Sequence, residues 1–178
     1  MKIGLLFGSF NPIHIGHTAI ANYMAEFTDL DEVWLVVSPH NPLKNKKDLA
    51  DANKRFARVK KAIGKSKKIK VSSVEFKLPQ PSYTVHTLEA LKKKFPKKKF
   101  VLIIGEDNLR SFHQWKDYRK ILSDNKIYVY PRRVSASASG KMLKHQNIKH
   151  IDAPRIDISS TFIREAMKKG KDVRFFVA

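Results

Sequence analysis

The sequence contains no cysteine among its 178 residues. Disulfides, thiolate zinc sites and cysteine nucleophiles are therefore excluded, and a reducing compartment is permitted. The sequence also lacks a signal-peptide pattern and any apolar run near the roughly 18 residues that a membrane-spanning helix needs. We therefore expect a cytoplasmic protein without a membrane segment. A chain of this length can bury a core, and we expect one domain over residues 1–178.

Acidic residues are scarce, with 16 Asp plus Glu against 36 Lys plus Arg, which gives a formal charge of +20. This balance favours phosphorylated ligands or nucleic acid, without choosing between them. Much of the excess lies in lysine clusters at residues 65–70 and 92–99. These clusters form either a solvated basic surface or a polyanion-binding face. The preference for lysine over arginine favours the solvated surface, because recognition surfaces use the planar fork of arginine.

Apolar runs rich in β-branched residues alternate along the chain with amphipathic stretches. We predict strands over residues 3–7, 33–37, 69–74, 100–104 and 127–130. We predict helices over residues 17–27, 51–63, 84–94 and 107–122. This alternation is typical of βαβ units, so we expect an α/β fold with a Rossmann-like open parallel sheet and helices on both faces.

Residues capable of chemistry follow several of the predicted strands. In open α/β sheets, ligands bind beyond the carboxyl ends of the strands, at a switch in strand order. Arg132 and Arg133 follow the fifth predicted strand, and Arg133 is kept as a candidate site residue. The small residues 135–140 predict a mobile loop and not a domain linker, because too little chain follows them to fold alone.

Residues 8–17 follow the first predicted strand and read Gly-Ser-Phe-Asn-Pro-Ile-His-Ile-Gly-His. Gly8 permits a tight exit from the strand where a side chain would block a phosphate, and Pro12 stiffens the turn into a helix. Amides at the positive helix end can hold an anion. His14 and His17, spaced i and i+3, can donate hydrogen bonds to a polyphosphate. The alternative is that they are a capping and a core histidine.

This segment resembles the H-x-G-H signature of the nucleotidyltransferase superfamily. Its form is similar to bacterial nicotinate mononucleotide adenylyltransferases, which make nicotinate adenine dinucleotide on the route to NAD. Phosphopantetheine adenylyltransferases open similarly but typically have threonine at the position of His14, which argues against that substrate. The resemblance implies the nucleotidyltransferase fold, catalytic roles for His14 and His17, and ATP contacts by Gly8, Ser9, Phe10 and His17.

A second motif, Ile-Ser-Ser-Thr-Phe-Ile-Arg, occupies residues 158–164 before another helical pattern. Ser159 or Ser160 can cap this helix, and Arg164 lies one turn on, so hydroxyls, amides and a guanidinium can share an anion. Without the first motif, residues 158–164 would be interpreted as an ordinary helix N-cap. The motif resembles the superfamily's I-S-S-T-x-[IV]-R box, which meets the β- and γ-phosphates of ATP. The resemblance implies a catalytic Arg164 and ATP binding by Ser159, Ser160, Thr161 and Arg164.

Further candidates follow the second and fourth predicted strands. Residues 39–44 resemble the family's P-x-x-P-x-K loop, which implies a catalytic Lys44 near the phosphates; unaided, Lys44 is one more solvated lysine. Arg55 falls at the family's arginine in the next helix, with a solvent-facing role as the alternative. Gly105 allows close backbone approach, and the Asp107 carboxylate can accept from ribose hydroxyls or a magnesium-bound water, so we expect both residues to bind ATP. Asp107 as a helix N-cap is the alternative, and the two roles can coexist.

Two middle segments concern the second substrate. Residues 82–88 resemble the family's S-Y-T-x-D-T-L segment, and residues 112–118 resemble its F-x-x-W stretch. In the family, the pyridine ring stacks on the tryptophan and its carboxylate meets the tyrosine-threonine segment. The resemblance therefore implies substrate contacts by Tyr83, Thr84 and Trp115. Without the resemblance, Trp115 reads as a packing residue.

Two positions depart from the family's pattern. His86 stands where the family usually has aspartate, and it alters the charge beside the pyridine segment. Glu106 stands where the family usually has a small residue. It adds a carboxylate near the phosphates, which either helps to place magnesium or points away. Both residues are kept as candidates.

The resemblance covers nearly the whole chain. It implies adenylyl transfer from ATP to nicotinate mononucleotide, giving nicotinate adenine dinucleotide and pyrophosphate, with Mg²⁺ accompanying ATP and no protein-bound metal. The expected partners are ATP and a pyridine mononucleotide. Another acceptor, either nicotinamide mononucleotide or pantetheine phosphate, remains open, as does a nucleic-acid-binding protein on the same fold. The sequence leaves the oligomeric state undetermined.

Overall fold

The computed structural model describes residues 1–40, 49–133 and 144–178. In these ranges one sheet contains six parallel strands in the order β3-β2-β1-β4-β5-β6. The strands are β1 (Lys2–Gly8), β2 (Glu32–Val37), β3 (Ile69–Ser72), β4 (Lys99–Gly105), β5 (Lys126–Tyr130) and β6 (Ile148–His150). The strand order reverses between β1 and β4, the position at which such sheets bind ligands. The predicted Rossmann-like fold is confirmed.

Helices cover both faces of the sheet. They are α1 (Ile15–Glu26), α2 (Ala52–Ile63), α3 (Thr84–Lys94), α4 (Glu106–Arg110), α5 (Tyr118–Asp124) and α6 (Ser160–Lys168). Alternate strand residues face opposite sides. Leu102 packs with apolar residues of α3, α4 and α5, whereas Ile103 packs with those of α1 and α2. The central strands are buried on both faces, which explains their continuous apolar runs.

Local sequence sets several helix ends. The Asp51 side chain accepts a hydrogen bond from the backbone N–H of Lys54 at 3.0 Å and caps α2. Gly64 ends α2 with a positive φ of 54°, a conformation that favours glycine. Ser159 caps α6 by accepting from the N–H of Phe162 at 3.1 Å. Polar caps satisfy backbone donors that the first helical turn leaves without partners.

Two predicted elements have the wrong extent, and one strand was not predicted. The single helix expected over residues 107–122 is interrupted after Arg110 by a 3₁₀ turn at Phe112–Gln114 and by Asp117, whose backbone is left-handed. The strand expected over 69–74 ends at Ser72, before a 3₁₀ turn at Val74–Lys77. The edge strand β6 was not predicted, because its three residues lack an apolar pattern.

Two sequence predictions lie outside the described residues. They concern Lys44 and the loop at 135–140. Within the described ranges, none of the helices is both long enough and apolar enough to cross a membrane.

Candidate active site

A cavity of about 320 Å³ opens at the carboxyl ends of the strands. The loop after β1, Arg132 after β5 and the first turn of α6 form its walls. Its ten described lining residues include two histidines and two arginines and no carboxylate; they are Ser9, Asn11, His14, His17, Leu49, Arg132, Ser159, Ser160, Thr161 and Arg164. The positive ends of α1 and α6 also meet here. This combination suits an anion with several oxygens.

The loop after β1 is shaped by packing between its own residues. Phe10 is 1% exposed and has a left-handed backbone, with a φ of 46°. A Cβ atom at Gly8 would lie 2.8 Å from the Phe10 ring. The Phe10 ring therefore requires glycine at position 8, and the predicted contact of Gly8 with a phosphate stays a prediction. Phe10 also packs edge-on against the His17 ring, with ring centroids 4.9 Å apart, and so supports the position of that ring.

His14 and His17 lie at the start of α1 with their rings 3.7 Å apart between centroids. His14 is the N-cap residue, and its backbone N–H donates to Nδ1 of His17 at 3.3 Å. Because Nδ1 of His17 accepts, the neutral ring carries its proton on Nε2. The His17 ring therefore has a fixed tautomer with Nε2–H as its donor.

His14 is held in its neutral form. Its side chain is buried, and a Cβ atom at Gly16 would lie 3.0 Å from its Nδ1. Burial, together with the positive charge of Arg132, lowers the pKa of His14 to about 4. Among the described residues, Nδ1 of His14 has no hydrogen-bond partner. A buried polar nitrogen at the wall of a cavity is suited to a ligand oxygen.

The first turn of α6 is fastened to the loop after β1. Ser160 Oγ donates to the carbonyl of Pro12 at 3.0 Å. Arg164 donates through Nη1 to the carbonyl of Asn11 at 2.7 Å and through Nη2 to Thr161 Oγ1 at 3.2 Å. These bonds hold the two motifs on opposite walls of one cavity.

Arg55 is buried, 1% exposed, and the solvent-facing alternative is wrong. Its guanidinium donates to four backbone carbonyls at 2.5–2.8 Å, those of Ala50, Ser9, Ser38 and Pro39. Desolvation lowers the pKa of Arg55 below its ordinary value. The side chain does not line the cavity, and it ties the loop after β1 to the loop after β2.

Gly105 and Asp107 lie next to Arg132. Gly105, not Asp107, is the N-cap residue of α4, so the N-cap alternative for Asp107 is wrong. A Cβ atom at Gly105 would lie 2.2 Å from Asp107 Oδ1 and 2.9 Å from Arg132 Cδ. Asp107 Oδ2 is 3.9 Å from Arg132 Nη1. Glu106 occupies the first helical position beside them and is half-buried.

The two segments assigned to the pyridine substrate meet away from the cavity lining. Tyr83 is the N-cap residue of α3, Thr84 is its first residue, and the His86 ring lies edge-on to Tyr83 with centroids 5.8 Å apart. Lys116 Nζ lies 4.7 Å from the centroid of the Tyr83 ring. Lys116 follows Trp115 in the sequence, so this contact brings the segment that contains Trp115 to the first turn of α3. Tyr83 and Trp115 both pack, half-buried, against the same hydrophobic cluster.

Sequence reasoning missed three lining residues, Asn11, Leu49 and Arg132. Arg132 follows β5 directly after Pro131, and that position was the available signal. Arg133 was chosen instead, but its backbone N–H donates to Asp157 Oδ1 at 2.8 Å and its side chain is exposed. Within the described ranges, no group of three or more His, Asp or Glu side chains is arranged to hold a metal ion.

The strand order and a cationic cavity between two helix ends are typical of a nucleotide-binding protein, and the two motifs on the cavity walls resemble those of the nucleotidyltransferase class. A family model described as cytidylyltransferase-like matches residues 5–166. A protein of Flavobacterium johnsoniae named "Probable nicotinate-nucleotide adenylyltransferase" is 55% identical over 174 residues, covering 98% of this chain and 90% of the relative. One of the same name from Bacteroides fragilis is 50% identical over 176 residues, covering 99% and 87%. The chain therefore belongs to the cytidylyltransferase-like family and, within it, to the family of nicotinate-nucleotide adenylyltransferases.

Solved structures show the same fold. The nicotinic acid mononucleotide adenylyltransferase of Plasmodium falciparum, complexed with NaAD, superposes with a TM-score of 0.81 at 21% identity, covering 97% of this chain and 87% of that chain. A second structure of that protein, complexed with APC, gives a TM-score of 0.78 at 20% identity with the same coverage. The resemblance found in the sequence is confirmed at the level of family and fold.

Proposed function

We propose that this protein transfers the adenylyl group of ATP to nicotinate mononucleotide, giving nicotinate adenine dinucleotide and pyrophosphate. The observation that carries the proposal is the meeting of the two phosphate-binding motifs around one cationic cavity. Its relatives, up to 55% identical over nearly the whole chain, bear the name of this activity. We also propose that residues 1–178 form one domain and that the protein is cytoplasmic.

The reaction depends on the placement of its two substrates and not on proton transfer by the protein. A phosphate oxygen of the mononucleotide, already anionic, attacks the α-phosphorus of ATP; the bond to the bridging oxygen breaks, and pyrophosphate leaves with the electron pair. No general base is required. His14, His17, Arg164 and Arg132 donate hydrogen bonds to the phosphates and stabilise charge on the departing pyrophosphate. The backbone amides at the start of α6 add further donors from Ser160 and Thr161.

Mg²⁺ would accompany ATP, and the side chains fit this role in a limited way. Asp107 is the exposed carboxylate beside Gly105 and Arg132, and it can accept from a magnesium-bound water or from the ribose. Magnesium would neutralise phosphate charge when bound. The described cavity lining offers no carboxylate, so most ligands of the magnesium ion would come from ATP and water and few from the protein. Glu106 remains a second candidate, and Lys44 remains a prediction.

The acceptor site is proposed at the start of α3. The amides of Tyr83 and Thr84 lie at a positive helix end whose first turn has no acidic residue. His86 replaces the aspartate of the family pattern, and Lys116 lies over the Tyr83 ring. This charge balance supports a carboxylate on the pyridine over a neutral amide. Trp115 would offer its face to the ring.

The deciding experiment compares kcat/KM for nicotinate mononucleotide, nicotinamide mononucleotide and pantetheine phosphate, with pyrophosphate release as the readout. We expect the acid to be the preferred acceptor. A preference for the amide would contradict the acceptor assignment and leave adenylyl transfer intact. No pyrophosphate release with any acceptor, together with nucleic acid binding that persists at physiological salt, would contradict the enzyme assignment and favour the nucleic-acid-binding alternative.

A further inference from the structure

Glu75 is a buried carboxyl group that the reaction scheme does not use. It lies in the 3₁₀ turn after β3 and is 1% exposed. Its Oε1 accepts a hydrogen bond from Thr87 Oγ1 at 2.8 Å, and Thr87 is itself fully buried in the first turns of α3. The backbone carbonyl of Glu75 accepts from Gln80 Nε2 at 2.9 Å, and Gln80 Oε1 in turn accepts from Ser82 Oγ at 3.0 Å. Glu75 is therefore joined to Thr87 by its carboxyl group and, through Gln80, to Ser82 by its backbone.

Ser82 and Thr87 flank the turn proposed to hold the pyridine carboxylate. The backbone N–H groups of His86 and Thr87 both donate to the carbonyl of Tyr83, at 3.1 and 3.2 Å. Ser82 precedes Tyr83, and its N–H donates to the carbonyl of His40 at 3.2 Å. A group that holds Ser82 and Thr87 therefore holds both sides of the turn formed by Tyr83 and Thr84.

The same region is joined to the ATP cavity by contacts that do not involve the Glu75 side chain. Ser82 donates its N–H to the carbonyl of His40, and the neighbouring carbonyl of Pro39 accepts from Arg55 Nη2 at 2.8 Å. Arg55 Nη1 donates to the carbonyl of Ser9, a residue of the cavity wall. Loss of the Glu75 carboxyl group therefore leaves this connection in place.

Glu75 differs from the other buried glutamate of the sheet. Glu32 is 6% exposed at the amino end of β2, where Lys70 forms an ion pair with it and Trp34 Nε1 donates to it at 2.8 Å. Among the described residues, Glu75 has no such cation within ion-pair distance. Burial raises the pKa of Glu75 above its ordinary value. A carboxyl buried without a countercharge is unfavourable to stability, so packing alone does not account for it.

We propose that Glu75 is a positioning residue for the acceptor nucleotide: through its hydrogen bond to Thr87 it holds the Tyr83–Thr84 amides in the orientation that receives the pyridine carboxylate. The inference rests on the proposed function for the identity of that ligand. It assigns no contact between Glu75 and either substrate. Its effect is therefore expected on the acceptor and not on ATP.

Four variants test this with steady-state kinetics. Glu75→Ala and Thr87→Val remove the hydrogen bond, and we expect each to raise KM for nicotinate mononucleotide by about 10-fold while KM for ATP changes by less than about 2-fold. Glu75→Gln and Thr87→Ser keep an acceptor and a donor, and KM for the acceptor should stay within about 3-fold of wild type. Thr87→Val nearly preserves side-chain shape and carries the test if Glu75→Ala does not fold.

Glu32→Gln is the matched control, because it alters a buried glutamate at the opposite end of the sheet. It should leave both KM values unchanged. Equal increases in the two KM values, or an unchanged acceptor KM in folded Glu75→Ala and Thr87→Val, would overturn the proposal. So would a loss of acceptor affinity in Thr87→Ser as large as that in Thr87→Val.

Amide hydrogen exchange keeps this proposal separable from the proposed function. The N–H groups of His86 and Thr87 should exchange faster in Thr87→Val than in wild type, relative to amides of α1, whether or not nicotinate mononucleotide is the substrate. Unchanged exchange at these two amides would overturn the positioning role. Absence of turnover by the wild-type protein, with exchange increased in the variant, would contradict only the proposed function.

Discussion

The hydroxyl of Ser160 donates a hydrogen bond of 3.0 Å to the carbonyl of Pro12, across a sequence separation of 148 residues. One turn further on, Arg164 reaches the carbonyl of Asn11 at 2.7 Å. Together these bonds place the start of α6 opposite the start of α1. The cavity therefore depends on a contact between two segments at opposite ends of the chain.

Removal of the Arg164 guanidinium should weaken ATP use. We expect Arg164→Ala to lower kcat/KM for ATP by about 100-fold to 1,000-fold, the usual effect of one well-placed donor. The kcat/KM of Arg164→Lys should lie between those of wild type and Arg164→Ala, because one ammonium group cannot replace both hydrogen bonds of the guanidinium, to Asn11 and to Thr161. Steady-state kinetics at fixed acceptor concentration measures this. Arg174→Ala, at an exposed arginine paired with Asp172, is the control, and an equal loss there would contradict a specific role.

The fixed tautomer of His17 predicts different results for its two amide substitutions. Asn carries its oxygen near the Nδ1 position, so His17→Asn keeps the bond to the His14 N–H but loses the distal donor. Gln places an N–H near the Nε2 position, so His17→Gln should retain more turnover than His17→Asn. His17→Ala should lose about 2.7–4 kcal/mol of transition-state stabilisation and remain folded. Kinetics with circular dichroism tests this, and a folded His17→Ala variant with full activity would refute the assignment.

The lowered pKa of His14 predicts acid sensitivity of the fold. Between pH 6.5 and about 4, the unfolded chain protonates this histidine while the folded protein does not. The unfolded state then binds more protons, so the free energy of unfolding falls as pH falls through this window. The contribution is at most about 3 kcal/mol. Chemical denaturation at several pH values measures it. His14→Gln should flatten the dependence there, and an unchanged slope would contradict the buried neutral state.

Arg55 and Arg58 provide a matched pair on α2. Arg55 donates to four carbonyls and is buried, whereas Arg58 is exposed one turn later. Arg55→Ala leaves buried carbonyls without donors, and we expect a loss of roughly 3–5 kcal/mol in the free energy of unfolding. Arg58→Ala should change it by less than about 0.5 kcal/mol. Urea denaturation compares the two variants. Similar losses in the free energy of unfolding would show that the hydrogen bonds of Arg55 do not stabilise the fold.

Much of the fold was predictable from local pattern. Buried strands require continuous apolar runs and amphipathic helices require a 3.6-residue period, so β1, β2, β4 and β5 were found within one residue at each end. Helix α3 was found with its observed bounds at 84 and 94. The cap of α6 was also predicted, because capping depends on side chains within three residues.

Elements governed by distant partners were not predictable. The helix expected over 107–122 breaks where Phe112 and Trp115 pack into the core, and β6 exists through its pairing with β5. Arg55 has the same local pattern as a surface arginine, yet the carbonyls that bind it come from two other segments, the loop after β1 and the connection between β2 and α2. Local sequence does not encode these partners.

The sequence by itself determined the order along the chain of strands β1 to β5 and of helices α1, α2, α3 and α6, the two motifs at residues 8–17 and 158–164, and the family to which they belong. Only the tertiary structure decided that these motifs face one cavity, that Arg132 lines it in preference to Arg133, and that Phe10 requires Gly8. The physical reason is range. Periodicity and capping act over a few residues, whereas burial and cavity shape depend on segments that meet only when the sheet is assembled.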